Sequence, residues 1–213
     1  MRVNEQGRSM SEMLGVLAIV GVLSVGGIAG YSKAMNKFKT NKVIDQINMI
    51  STNIRTLYSS QRNFAGLTNS VAKSAGIVSG DMYSDESDSN ITNAFQGEVL
   101  LGTGYHNGQA DAAYIIAFNG LPKSACVAAA TTDWGGDVGS GFAAMLAQAT
   151  PADLATVITS LEGAANSNTA ASSADGIVIA VPGDENHGTP MSISDANTAC
   201  TSPSDNTMAL KYI

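Results

Sequence analysis

Glu12 is the acidic side chain at the start of a long apolar run, and its chemistry depends on what surrounds it. From Met13 to Tyr31 the only conventionally polar side chain is Ser24, and the next charged residue is Lys33. A carboxylate inside a membrane helix costs roughly 2.5 to 3.5 kcal/mol at the bilayer centre and usually marks function. A simpler role is a first-turn acid at the positive end of a helix, which contributes about 0.3 to 1 kcal/mol.

Two cysteines, Cys126 and Cys200, have a chemistry that depends on the compartment. If the apolar run carries the later residues out of the cytoplasm, we expect the two thiols to form a disulfide. Closing a loop of 74 residues would stabilise the fold by roughly 4 kcal/mol on the chain-entropy model. Two buried free thiols are the alternative.

The remaining candidates for chemistry are weak. His106 and His187 lie in turn-like contexts without metal-ligand spacing. The glycines of 102–108 do not have the dinucleotide-binding spacing, and the acidic tract at 85–90 lacks the glycine and the glutamate of a calcium loop. Trp134 is expected in the core rather than as an exposed adhesive aromatic. We therefore predict no catalytic residues, no metal, no cofactor and no enzyme activity.

Charge is distributed unevenly along the 213 residues. The net charge is −7, but residues 1–62 carry eight Lys/Arg and three Asp/Glu, giving +5, whereas residues 63–213 carry three and fifteen, giving −12. Such an acidic second part is not expected to bind nucleic acid, because phosphate binding needs a basic surface. Four lysines follow the apolar run and could meet lipid head groups or acidic partners, or could simply form a solvated helix face: Lys33, Lys37, Lys39 and Lys42.

The elements that must position these residues begin with one long helix. About 19 apolar residues from Met13 are enough to cross a hydrocarbon layer that needs roughly 20. The absence of proline before Pro122 lets one helix run from about residue 9 to residue 59. Its second half is amphipathic, because apolar residues recur at helical spacing. The predicted apolar face comprises Tyr31, Met35, Phe38, Val43, Ile47, Ile50, Ile54 and Leu57.

The second part of the chain has the pattern of an antiparallel sheet. Short strand-like runs bounded by turn residues lie at 97–102, 112–120, 176–183 and 207–213. A helix is predicted at 150–163, with Thr150 as N-cap, Pro151 as first helical residue, Asp153 as first-turn acid and Gly163 as the stop; its buried stripe is Leu154, Val157, Ile158 and Leu161. By composition, 84–90 is an exposed loop and 163–176 a flexible linker.

The start of the chain resembles a type IV prepilin. A short hydrophilic leader, "MRVNEQG", ends in Gly7, a hydrophobic segment follows, and Glu12 is the fifth residue after that glycine. The runs "AAYIIAFNGLPKSAC" (112–126) and "TAC" (198–200), with a terminal strand, are similar to type IVb pilin heads. In those heads a sheet is closed by a disulfide near the C-terminus.

The resemblance implies how the subunit is processed and where it works. A prepilin peptidase would cut between Gly7 and Arg8. Methylation of the new N-terminus belongs to the family pattern, but Arg8 replaces the bulky apolar residue usual at that position, so methylation of this chain stays open. The subunit would be stored in the inner membrane, extracted by a pilus assembly machinery and built into an extracellular filament of identical subunits. Glu12 would then pair with the amino terminus of a neighbouring subunit.

We therefore expect an α+β pilin fold, with a long N-terminal helix packed on a C-terminal antiparallel sheet head. The expected segments are a leader (1–7), a membrane and filament-core helix (8–31), its amphipathic continuation (32–59) and a globular head (60–213). A type II secretion pseudopilin or a minor pilin remains an alternative, as does a periplasmic enzyme or binding domain on a signal anchor. The latter needs a convergent polar site, which the sequence does not show.

Overall fold

The protein divides into two compact units, Met1–Phe38 and Lys39–Ile213. The computed structural model describes residues 10–83, 89–135, 140–165, 172–173, 176–180 and 190–213. In the first unit the described residues are helical throughout, whereas the second unit contains the sheet and the remaining helices.

Helix α1 runs from Met10 to Tyr58 without interruption, which confirms the long helix predicted for 9–59. Val43, Ile47, Ile50 and Ile54 are each at most 1% exposed, so this section of the predicted apolar face does form the contact with the sheet. The large side chains at the two ends of that face are exposed. These are Tyr31 (66%), Phe38 (62%) and Leu57 (41%); Tyr58, at 7%, is the buried residue at the end of the helix.

A sheet of six strands forms the centre of the second unit, counted over the described ranges. Its spatial order is β1-β2-β6-β3-β5-β4, and every pairing is antiparallel. The strands are β1 (Val99–His106), β2 (Gln109–Leu121), β3 (Phe142–Gln148), β4 (Ser172–Ser173), β5 (Gly176–Ala180) and β6 (Asn206–Tyr212). The predicted α+β class with an antiparallel sheet is confirmed.

Both faces of this sheet are covered, as the alternation of β6 shows. Met208, Leu210 and Tyr212 belong to the apolar cluster that also contains the buried residues of α1. Ala209, one position out of phase, belongs to a second cluster with residues of helix α4 (Leu154–Ala165). Successive strand residues point to opposite faces, so all seven positions of β6 are buried.

Strand β3 was not predicted because its sequence does not alternate. All seven of its residues are buried, since β3 lies inside the sheet between β6 and β5 with apolar cover on both faces. The first six residues of "FAAMLAQ" are therefore apolar without interruption, and three alanines add helix propensity. Covered central strands lose the period of two that makes half-buried strands recognisable.

Helix α4 was predicted, but its start and stop are wrong. Asp153, not Thr150, caps it, because the Thr156 backbone N–H donates to Asp153 Oδ1 at 2.7 Å. Thr150 instead accepts from Thr207 through its carbonyl oxygen at 2.7 Å, which keeps Pro151 outside the helix. The helix continues past Gly163 to Ala165, and 166–171 of the predicted linker lies outside the described residues.

The second unit also contains two short helices that were not predicted from the sequence. They are α3 (Lys123–Ala130) and α5 (Ile193–Ala199). The segment between α1 and β1 contains α2 (Asn69–Ser74) and a 3-10 turn (Gly80–Met82). Asn69 donates to the Val99 carbonyl and accepts from the Leu101 N–H, both at 2.8 Å. Its side-chain amide therefore occupies part of the open edge of β1, where another strand would pair.

Candidate functional site

The first unit exposes an extended apolar surface on α1, within the residues that the structure describes. In the first unit thirteen large apolar side chains are exposed, from 47% at Met13 to 84% at Met10. One window of α1 is long and apolar enough to cross a membrane, although an N-terminal signal sequence would satisfy the same criterion, and none of that window is buried. Apolar surface of this extent marks a membrane or a protein partner.

Glu12 lies in the first turn of α1 and is exposed. Residues Gly7 and Arg8, the predicted processing site, lie outside the described residues. A carboxylate in the first turn interacts favourably with the positive end of the helix dipole.

The apolar surface carries a polar group whose hydrogen bond is made inside the helix. Ser24 Oγ donates to the Val20 carbonyl at 2.8 Å, so this hydroxyl needs no lipid or protein partner. Five glycines interrupt the apolar side chains, and a Cβ added at any of them would meet nothing within 4 Å: Gly15, Gly21, Gly26, Gly27 and Gly30. Small residues of this kind allow a second helix to approach closely.

The C-terminal turns of α1 are attached to the sheet by a polar and aromatic group in which Ser51, Tyr114 and Tyr212 are buried and Arg55 is exposed. Tyr114 is completely buried in β2, its hydroxyl shares a 2.8 Å hydrogen bond with Ser51, and Arg55 Nε donates to it at 2.9 Å. The Arg55 guanidinium also lies 4.8 Å from the centre of the Tyr212 ring. Tyr212 and Tyr114 stack with ring centres 5.2 Å apart, so α1 is joined to two neighbouring strands.

Burial controls the ionisation of this group. It raises the pKa of Tyr114 despite opposing effects of Ser51 and Arg55. It also raises the pKa of Tyr212, and the neighbouring Tyr114 adds to that increase. Both phenols are therefore neutral throughout the physiological range. Sequence analysis did not find this group; the available signal was Arg55, the basic residue in the last turn of α1.

Cys126 and Cys200 form a disulfide with their Cα atoms 5.9 Å apart, as the sequence predicted. Cys126 lies in α3 and Cys200 follows α5, and both are fully buried. Trp134 is 6% exposed and donates from Nε1 to the Ala129 carbonyl at 2.8 Å. The expectation that Trp134 is a core residue is confirmed, and it packs in the same apolar cluster as the disulfide.

The lysines after the apolar run differ in their surroundings. Lys33 and Lys37 are exposed. Lys42 forms an ion pair with Asp81 at 2.5 Å, and Lys39 lies 5.7 Å from the centre of the Phe95 ring. Lys42 and Ser79 together lower the pKa of Asp81. At least two of the four lysines therefore have partners within the second unit.

The candidate metal ligands lie only partly within the described part of the chain. No group of three or more His, Cys, Asp or Glu side chains there is arranged to hold a metal ion. His106 is half-buried at the end of β1, while His187 and residues 84–88 of the predicted acidic loop lie outside the described residues.

Comparison with known proteins gives a family match across most of the chain. The model of the family described as Bundlin matches residues 32–181. The major structural subunit of bundle-forming pilus of Escherichia coli O127:H6 is 29% identical over 131 residues, which are 62% of this chain. The protein of the same name in Escherichia coli O111:H- is 30% identical over 131 residues. The match spans 66% of the length of each of these curated relatives.

Two solved structures align with the structure of this chain at lower sequence identity. One is the crystal structure of TcpA, a type IV pilin from Vibrio cholerae El Tor biotype, at 17% identity and a TM-score of 0.49, covering 82% of this chain and 99% of that one. The other is a type IV b pilin from Salmonella typhi, at 15% identity and a TM-score of 0.48, covering 81% and 98%.

Proposed function

This chain belongs to the bundlin family, and from that premise we propose that it is a structural subunit of a type IV pilus rather than an enzyme. The observation that carries the proposal is the exposed apolar surface of α1, of which none is buried within its most hydrophobic window. A surface of this kind needs lipid at one stage and neighbouring subunits at another. The relatives' description as major structural subunits favours a major pilin over a pseudopilin or minor pilin.

We propose that residues 1–7 are a leader that a prepilin peptidase removes between Gly7 and Arg8. The amino group created at Arg8 would then lie about one helical turn from Glu12. In a bundle of like helices, the carboxylate of one subunit would pair with the amino terminus of another. A subunit in the wrong axial register would leave a buried charge unpaired, which costs more than the pair itself contributes.

The same proposal gives each segment a partner. Residues 8–31 lie in the inner membrane before assembly and in the filament core afterwards, while 32–59 continue the helix under the head formed by 60–213. The partners are the peptidase, the pilus assembly machinery and other copies of this chain. The final location is an extracellular fimbrium; adhesion, aggregation, motility and conjugative transfer are the roles that stay open for it.

Electron microscopy of filaments sheared from the cell surface, combined with mass spectrometry of their main subunit, tests this function. We expect this chain as the main component, beginning at Arg8. A signal-anchored periplasmic protein would instead remain with the cells and would be missing from the sheared fraction. An ordinary secretory signal peptide, for which Gly27 and Ala29 could form the small-x-small cleavage site, would instead give a mature chain that begins near Gly30. That result would contradict the processing site, because the mature chain would lack the apolar helix.

A further inference from the structure

The sequence contains two Asn-Gly pairs, and the fold places them in opposite environments. Asn107 and Gly108 form the two-residue turn between β1 and β2, and both are exposed. Asn119 and Gly120 lie inside β2, where Asn119 is 6% exposed. Asn-Gly is the dipeptide in which a side-chain amide meets the least steric hindrance to attack by the next backbone nitrogen. Any difference in reactivity between the two pairs must therefore come from the fold.

At the turn, three reacting groups lie next to one another in the chain. Both turn residues have positive φ, 51° for Asn107 and 76° for Gly108, as the tight hairpin turn requires. Asn107 Nδ2 donates to His106 Nε2 at 3.0 Å, in the tautomer that accepts the proton. The nitrogen that leaves the amide during deamidation thus has an imidazole nitrogen within hydrogen-bonding distance, where a general acid must stand.

In β2 both polar atoms of the Asn119 side chain are held by buried partners. Its Nδ2 donates to the Ala152 carbonyl at 2.9 Å, and its Oδ1 accepts from Thr207 Oγ1 at 2.6 Å. Gly97 packs directly against Gly120, since a Cβ on Gly120 would stand 2.8 Å from the Gly97 Cα. Rotation of this amide toward the next backbone nitrogen requires the strand to open, which costs far more than opening an exposed turn.

We propose that Asn107 is a self-modification site, at which the exposed β1–β2 turn converts asparagine to aspartate and isoaspartate with the help of His106. The Gly108 nitrogen, whose proton goes to water, bonds to Cγ of Asn107. In the tetrahedral intermediate that results, Nδ2 is an amine and accepts a proton from Nε2 of protonated His106. The Cγ–Nδ2 bond then breaks, ammonia departs, and a five-membered succinimide is left. One water molecule then opens the ring at either carbonyl carbon. No electrons are transferred, and water is the only co-reactant.

The product changes the turn in two ways. A neutral amide becomes a carboxylate, which adds one negative charge to an already acidic head, and the isoaspartate form inserts a methylene group into the backbone of a two-residue turn. Because the reaction needs no enzyme, its extent records the age of the molecule. The inference does not depend on filament assembly, so it stands or falls separately from the proposed function.

Peptide mapping by mass spectrometry of the purified full-length chain, incubated near neutral pH for increasing times, tests the proposal. Replacement of the amide by a hydroxyl group has a characteristic mass gain, and isoaspartate separates from aspartate chromatographically. We expect Asn107 to convert at least about tenfold faster than Asn119, the matched control within the same molecule, because Asn119 reacts only after its strand opens. Equal rates at the two sites in the folded protein would overturn the proposal.

Two further samples separate the contributions of the fold and of His106. In the urea-unfolded His106→Ala variant, which lacks both the fold and the neighbouring acid, the two asparagines should react at similar rates; an Asn107 that still reacts much faster there would place the cause elsewhere in the local sequence and overturn the structural argument. In the His106→Ala variant, conversion of Asn107 should slow by roughly tenfold, less than the ~10²-fold typical of enclosed catalytic acids, because water competes at an exposed turn. An unchanged rate would exclude His106 as the acid.

Discussion

The two parts of helix α1 differ in where their apolar side chains find partners. In the first unit, residues such as Ile19 (63% exposed) and Leu23 (68%) face outward, whereas Ile47 and Ile50 in the second unit are buried against the sheet. The backbone is the same continuous helix throughout. An apolar helix face is therefore not evidence of an internal core, and the part without a partner in the chain is the part that we propose to lie in lipid and in the filament.

Among the substitutions in α1, replacement of Glu12 should have the largest effect on filament assembly. We expect Glu12→Ala to be processed and kept in the membrane at normal levels but to give few or no filaments, because assembly would lose the charge pair that fixes axial register. Counting filaments by electron microscopy, alongside immunoblots of the membrane fraction, measures both quantities.

Asp45 supplies the matched control, since it is an exposed acid on the second part of the same helix. Asp45→Ala should assemble normally. Abundant filaments from Glu12→Ala would refute the register role and leave only the favourable position at the positive end of α1.

The same isoleucine-to-alanine substitution should change the stability of the second unit in one part of α1 and not in the other. Ile50→Ala should lower the free energy of unfolding of the second unit by about 2–5 kcal/mol, because it leaves a cavity in a fully buried site. Urea unfolding in detergent, followed by the fluorescence of buried Trp134, measures this change.

Ile19→Ala removes the same atoms from an exposed position in the first unit and should leave that transition within about 0.5 kcal/mol of the wild type. A large loss of head stability from Ile19→Ala would mean that the two parts of α1 do not differ in the way described.

The disulfide stabilises the second unit alone. Loss of the bond in the Cys126→Ser, Cys200→Ser double variant should lower the free energy of unfolding by roughly 2 to 5 kcal/mol, mainly because the unfolded chain gains conformational entropy without the cross-link. Removing both sulfur atoms avoids a leftover buried thiol, so the measured difference in the urea transition reports the cross-link. Two alkylatable thiols in the exported wild-type protein would contradict the pairing.

The sequence predicted the elements whose apolar spacing and turn residues are local, and it missed those that depend on contacts between distant residues. Helix α1 was found because a proline-free run has a continuous apolar periodicity, and β6 because it is short and bounded by turn residues. Strand β3 was missed because cover on both faces removes alternation, and the start of α4 was misplaced because the Thr150 carbonyl bonds to Thr207, 57 residues away. The Tyr114 and Arg55 contact was missed for the same reason: its partners are distant in sequence, and no local pattern records them.

Lys42 and Lys37 provide the smallest test of the same contrast. Lys42 pairs with Asp81 and helps to lower the pKa of that carboxyl below 3.8, whereas Lys37 is exposed on the first unit. A carboxyl whose pKa is lowered by folding stabilises the native state above its ordinary pKa, and that contribution is lost as pH falls through the folded-state value. Both partners are more than one third exposed, so solvent screening limits the effect to about 0.5 kcal/mol.

We expect Lys42→Ala to lower the free energy of unfolding by that amount at neutral pH and by nothing once Asp81 is protonated, whereas Lys37→Ala should match the wild type at every pH. Urea transitions of the three proteins at a series of pH values measure the difference. A Lys42→Ala deficit that persists in strong acid would show that Lys42 acts through packing of its aliphatic stem rather than through its charge.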